Sequence, residues 1–152
     1  MATQINNACL QEIPSLIGYA TEVESLVLSR HGRPLTPLQL ADARLVGVHE
    51  PEKIRLANSF AFIEADPRFT VFLSLGPALA GVTVGHAIIL SSGRAKDRDV
   101  LLHECAHVAQ YERFGLLGFL EKYFSEIATF GYEAAPLELE ATALARTVIT
   151  RG

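Results

Sequence analysis

The stretch LLHECAHVAQYERFG, Leu101 to Gly115, decides how the rest of the chain is read. It opens on apolar residues, carries two histidines four positions apart, and stops at a glycine. On an α-helix, residues i and i+4 lie one turn apart on the same face, so His103 and His107 can aim both imidazoles at one ion. Glu104 is turned by about 100° from His103, the angle set by 3.6 residues per turn. It flanks such an ion without having to bind it. From there a glutamate can take a proton from a metal-activated water and hand it to a leaving amine. The plain alternative is a surface or core-edge helix with two incidental histidines.

The surroundings favour the metal. Upstream, VTVGHAIILSS reads as a strand, with Val82, Val84, His86, Ile88 and Leu90 alternating with smaller or polar residues, closed by Ser91-Ser92-Gly93. Asp97 or Asp99 can cap the motif helix and place acidic groups at its positive end, and Gly115 is a suitable C-terminal stop. Proteolytic zinc sites commonly follow this order: an edge strand able to pair with an extended peptide, then the zinc helix. Downstream, LLGFLEKYFSEIATF reads as an amphipathic helix, with Leu116, Leu120, Tyr123, Phe124 and Ile127 on one stripe and Glu121, Lys122, Ser125 and Glu126 opposite. A core-facing helix is the simpler account of it, and a membrane-surface helix the other. Gly131 to Ala135 forms a turn, and Pro136 opens a last helix running to about Ile149.

An open zinc site needs a third protein ligand. No histidine follows His107, and the acidic residues from Glu112 to Glu133 belong to the two preceding helices or the turn. The last helix offers Glu138 and Glu140. With Leu137, Ala141, Leu144 and Val148 taken as its apolar stripe, Glu140 falls within the stripe, and an inward carboxylate must be paired or metal-bound. Glu140 is the expected third ligand and Glu138 the alternative.

The run LLHECAHVAQYERFGLLGFLEKYF, then GY and APLELEA, resembles small bacterial zincin-like proteins of the gluzincin type, over residues 82 to 145. Their pattern is a HExxHV-x-Q-Y helix, an amphipathic helix, and a last helix opening P-x-E-x-E-A. The resemblance implies a metallopeptidase fold, with a glutamate often followed by alanine as third ligand, which falls on Glu140-Ala141. Two positions depart from it. Cys105 stands where a bulky aliphatic residue is usual and reads as a small buried hydrophobe. Leu144 stands where larger relatives carry an aspartate that orients a ligand histidine. Tyr132 is the candidate donor to an oxyanion. Tyr111 reads as packing, His86 as structural, and His31 and His49 receive no role.

The rest of the chain sets bounds. At 152 residues, 49% of them hydrophobic and 20% charged, it is expected to form one domain, residues 1–152. A net charge of -4 with scattered Lys and Arg argues against nucleic acid as a partner. The N-terminus lacks the pattern of a secretory signal, no apolar run reaches transmembrane length, and two cysteines, Cys9 and Cys105, cannot frame a disulfide scaffold; the cytoplasm is the expected compartment. Helices are expected over Ile13–Ser29, and from Pro37 to near Gly47 behind a Thr36 cap. Lys53–Ile63 has mixed features, and Arg68–Gly81 fits either strand and loop or a short helix.

The expected molecule is thus a helix-rich α+β, zincin-like domain with a small sheet. Zn2+ would be held by His103, His107 and Glu140, with Glu104 as general base and a peptide or protein as substrate. A metal-bound regulatory or binding module without proteolysis is the alternative.

Overall fold

A computed structural model describes residues 13–69, 80–94 and 97–151. Cys9 and most of Arg68–Gly81 lie outside them.

Five α-helices surround a four-stranded sheet among the described residues. Helix α1, Ile13–Leu26, turns Leu16, Tyr19, Ala20 and Val23 inward at helical spacing and continues into a π-helical turn, Val27–His31. Helix α2, Pro37–Leu45, starts where the local chemistry dictates. Thr36 Oγ1 accepts the Gln39 N–H at 3.2 Å, and Gln39 Oε1 accepts the Thr36 N–H at 2.9 Å, with Pro37 in the first turn. Helix α3, Arg98–Phe114, is capped by Asp97, whose carboxylate accepts the Asp99 and Val100 N–H groups, and it ends at Gly115. Helices α4, Leu116–Phe130, and α5, Pro136–Arg151, follow.

The strands are β1, Arg33–Pro34; β2, Arg55–Ala57; β3, Gly81–Val84; and β4, Ala87–Leu90, in the order β1-β2-β4-β3. Only the β2–β4 pair is parallel. The stretch expected as one strand, Val82 to Leu90, is a hairpin with Gly85 and His86 in its turn. Gly85 has φ +61°, a conformation glycine adopts without strain. His86 is therefore not on the strand at the cleft. Its N–H donates to Glu24 Oε2 of α1 at 3.0 Å, and its Nε2 lies 3.1 Å from Glu112 Oε2, a structural set of partners.

β4 is buried on both faces, which is why it reads as a continuous apolar run. Ala87 and Ile89 join a core with α1, α4 and Tyr111. Ile88 and Leu90 join a second with Leu101, Leu102, Cys105, Ala106 and Val108 of α3 and Ala141, Ala145 and Val148 of α5. Fully burying a side chain such as Leu90 or Leu102 contributes about 1.5–3 kcal/mol. Cys105 packs there with no exposed surface, and burial pushes its thiol up to about 12, so it is the inert hydrophobe expected. Small residues, Cys105 and Ala106 on α3 and Ala141 and Ala145 on α5, line this second core and let the two helices approach closely.

Helix α4 buries Leu120, Phe124 and Ile127 of the expected stripe and partly buries Leu116 and Tyr123, with two additions: Phe119, and Glu126, placed on the polar side by sequence. Its Oε1 accepts the Leu137 N–H at 2.7 Å, satisfying a backbone donor in the first turn of α5. No described helix is long and apolar enough to cross a membrane.

Candidate metal centre

The first turn of α5 faces the middle of α3, and Glu138 meets both histidines. Glu138 Oε2 lies 3.0 Å from His103 Nε2, Glu138 Oε1 3.1 Å from His107 Nε2, and the two Nε2 atoms 3.1 Å apart. Glu140 does not join them. It is partly exposed, and its carboxylate takes hydrogen bonds from Gln110 Nε2 at 3.1 Å and Arg113 Nη2 at 3.1 Å. The placement expected of Glu140 is therefore corrected: Glu138, the alternative, is the carboxylate that meets both histidines. The physical reason is the rotation of α5: its buried face runs through Leu137, Glu138, Ala141, Ala145 and Val148, with Ala145 inside and Leu144 only partly buried. Alanine carries little weight in a hydrophobic stripe, but here it marks the tightest packing.

Two imidazole nitrogens and one carboxylate suit zinc chemically. Tetrahedral coordination with zinc–nitrogen bonds of about 2.0–2.1 Å separates neighbouring ligand atoms by about 3.3 Å. The 3.1 Å between the two Nε2 atoms is close to that value. Glu138 meets each histidine through a different oxygen, and one ligand atom from each of the three residues lies within 4.8 Å of the others. Among the described residues, His103, His107 and Glu138 form the one group of three such side chains that could hold a metal ion together. The metal's identity is not specified by these donors.

Each donor is held from behind. Tyr123, expected only as part of an apolar stripe, donates its hydroxyl to Glu138 Oε1 at 2.8 Å. Gln110 Oε1 lies 2.8 Å from His107 Nδ1, and Thr142 Oγ1 lies 3.5 Å from His103 Nδ1. The aspartate missing at Leu144 is thus replaced by other partners. Gln110 stands at i+3 from His107, on the same helix face, and that spacing is the signal that could have found it.

Glu104 stands beside the triad without joining it, as its helical angle requires. It is buried, and Thr83 Oγ1 of β3 donates to its Oε1 at 3.2 Å and its main-chain carbonyl at 3.1 Å. Burial raises its pKa, and the nearby Glu138 charge adds to this while the histidines oppose it. A carboxyl poised to exchange a proton is what a general base requires. Tyr111, expected to pack, does so, and donates its hydroxyl to Thr83 O at 3.0 Å.

Two neighbouring spaces adjoin the site. An inner one of about 50 Å³ is walled by His107, Tyr111, Phe119, Tyr123 and Glu138. An outer cleft of about 320 Å³ is bordered by Asp99, Val100 and His103. Gly81, Glu104 and Tyr132 border both. Burial raises the Tyr132 pKa, helped by the Glu138 and Glu104 charges, so its phenol is a neutral donor at physiological pH.

Gly81 is required for space. A Cβ there would sit 2.9 Å from Leu90 Cδ2 and 3.0 Å from Glu104 Cγ. Gly81→Ala is expected to displace Glu104 from Thr83 and to lower stability by about 1–3 kcal/mol; a denaturant midpoint unchanged from wild type would contradict this.

The charges of the metal-free site predict a pH dependence. Burial pulls the His107 pKa down, but hydrogen bonding and charge from Glu138 outweigh it and push it up to about 9. Because this lies above the unfolded value of about 6.5, protonated His107 stabilises the metal-free fold fully below pH 6.5. That contribution is lost as pH rises through 9. Glu138 has the opposite sign: burial raises its pKa, but the two histidines hold it well below the carboxylate range, so its contribution is lost only in acid. The melting temperature of chelator-treated protein should fall between pH 6.5 and 9.5. Added zinc should reverse the fall, because it binds the deprotonated imidazoles. A flat profile without metal would contradict the His107–Glu138 coupling.

No family model, no curated protein and no solved structure matches the chain.

Proposed function

We propose that this chain is a zinc-dependent peptidase of the gluzincin type on a zincin-like fold. The observation that carries the proposal is the convergence of the His103, His107 and Glu138 donor atoms within 3.0–3.1 Å contacts, with Glu104 buried beside them and left out of the set. A structural zinc is usually closed by four protein ligands, whereas three ligands beside an open cleft are the mark of a catalytic one.

Zinc held there would polarise a carbonyl and bring the pKa of water to about 7. The chain's own residues supply the rest. Glu104 takes the proton of the attacking water at its carboxylate and returns it to the leaving amine, while Thr83 keeps the carboxyl in place. Tyr132 donates its hydroxyl to the developing oxyanion from the border of the two spaces. Glu138 is steadied by Tyr123, and His107 by Gln110.

The substrate side is β3. Val82 pairs with Ile89 and Val84 with Ala87 across the hairpin, so the backbone groups of Gly81 and Thr83 point to the outer side of the strand. Thr83 O already accepts from Tyr111, which leaves the Gly81 end for a peptide. An extended peptide can pair there and pass over Glu104.

The test is metal content by elemental analysis of untagged protein, followed by a peptide-library screen before and after chelation. One zinc per chain, with cleavage lost on chelation and restored by zinc, is the expected result. Zinc without cleavage of any peptide would favour the metal-bound, non-proteolytic binding module, and absence of zinc after reconstitution would overturn both.

A further inference from the structure

We infer that Gln110, locked in one orientation by Glu140 and by the Leu137 carbonyl, is a positioning residue that decides which nitrogen of His107 faces the metal. The inference rests on His103, His107 and Glu138 being a metal site.

Gln110 is 1% exposed and uses both ends of its amide. Its Nε2 donates to Leu137 O at 2.9 Å and to Glu140 Oε1 at 3.1 Å. Both partners are acceptors only, so the amide nitrogen must face them. Its Oε1 must then face His107 Nδ1, at 2.8 Å. An oxygen there accepts, so Nδ1 carries the hydrogen and the lone pair of the neutral ring lies on Nε2. That atom faces His103 and Glu138. Were the amide reversed, its oxygen would meet two other acceptors and its NH2 would donate to Nδ1. The ring hydrogen would then sit on Nε2, where it blocks ligation. Glu140, itself held by Arg113, thus acts on the site through Gln110. One turn of α5 presents the carboxylate that joins the histidines, Glu138, together with the two acceptors that orient His107.

The full chain tests this through zinc affinity, by competition with a chromogenic chelator, and through the ring nitrogen shifts of His107 in the zinc-loaded protein. Gln110→Leu removes the acceptor at similar size and is expected to weaken zinc binding about 10- to 100-fold. Gln110→Glu should also weaken it, because a second carboxylate then faces Glu140 and the Leu137 carbonyl. Combining Gln110→Glu with Glu140→Gln exchanges the two groups, so that the carboxylate accepts from His107 and the amide donates to it. This double variant should recover part of the affinity, since the Leu137 carbonyl still faces a carboxylate oxygen, and keep the hydrogen on Nδ1. A role in packing alone would predict no such rescue.

Zinc binding in Gln110→Leu within about threefold of wild type, or no recovery in the double variant, overturns the inference while leaving the metal site standing. Failure of wild type to bind zinc overturns the site itself, and the inference with it. If Gln110→Leu does not fold, the comparison of Gln110→Glu with the double variant decides alone.

Discussion

Glu104→Gln is expected to keep the metal and lose peptide hydrolysis by about 10²–10⁴-fold, the usual contribution of a positioned general base. The substitution is nearly isosteric, and Glu104 makes none of the contacts among His103, His107 and Glu138. An amide still accepts from Thr83 Oγ1, so the local packing should persist. What is lost is the ability to take up a proton beside the triad, where burial raises the carboxyl pKa. The measurement is kcat/KM on the best peptide from the screen, together with zinc content. Full activity in Glu104→Gln at unchanged zinc would remove Glu104 from the chemistry, and any cleavage would then need another base. A loss of zinc along with activity would place Glu104 in the metal's environment more directly than the geometry does.

Glu138→Ala is expected to abolish stoichiometric zinc, whereas Glu140→Ala should retain it at weakened affinity. Glu138 is the carboxylate within reach of both imidazoles, at 3.0 and 3.1 Å, and it is 7% exposed. Apparent zinc binding energies of about 10–16 kcal/mol spread over four ligands correspond to about 3 kcal/mol each, so removing one should cost about 10²-fold or more. Glu140 instead spends its carboxylate on Gln110 and Arg113, and its removal acts only through Gln110. Titration of the two variants against one chelator separates the cases. Equal zinc affinity in both, or a greater loss in Glu140→Ala, would contradict the ligand assignment.

The helices were legible because their ends are chosen locally. Thr36 with Gln39 builds a capping box, Asp97 caps α3, Gly115 ends it, and Pro136 opens α5. Each signal acts over a single turn, and none depends on a distant residue. The hairpin was less legible. β4 is covered on both faces, so its apolar run carries no mark of where β3 ends and the turn begins, except Gly85. The membrane-surface alternative for α4 depended on its apolar stripe. In the fold that stripe is covered by the core, where Leu120, Phe124 and Ile127 are each at most 3% exposed.

At the site, the i, i+4 spacing of His103 and His107 and the offset of Glu104 follow from helix geometry alone, and the fold keeps them. The choice between Glu138 and Glu140 did not follow. Two glutamates two residues apart differ by about 200° around a helix, so a small error in locating the buried face reverses the assignment. Leu144 drew the inferred face toward Glu140, while the structure packs Ala141 and Ala145 against α3 and brings Glu138 inward. Tyr123 and Thr83 were illegible for a related reason: their partners are 15 and 21 residues away in sequence. Gln110 stands three residues from His107, but the Glu140 that holds its other end is 30 residues away.

The sequence by itself thus determined the helix ends, the pair of histidines and the glutamate beside them, because turn chemistry and 3.6-residue periodicity act within one element. Only the tertiary structure decided which carboxylate completes the triad, what holds each donor from behind, and which strand borders the cleft. Those depend on how far one helix is rotated against another, a quantity set by the packing of small side chains between them.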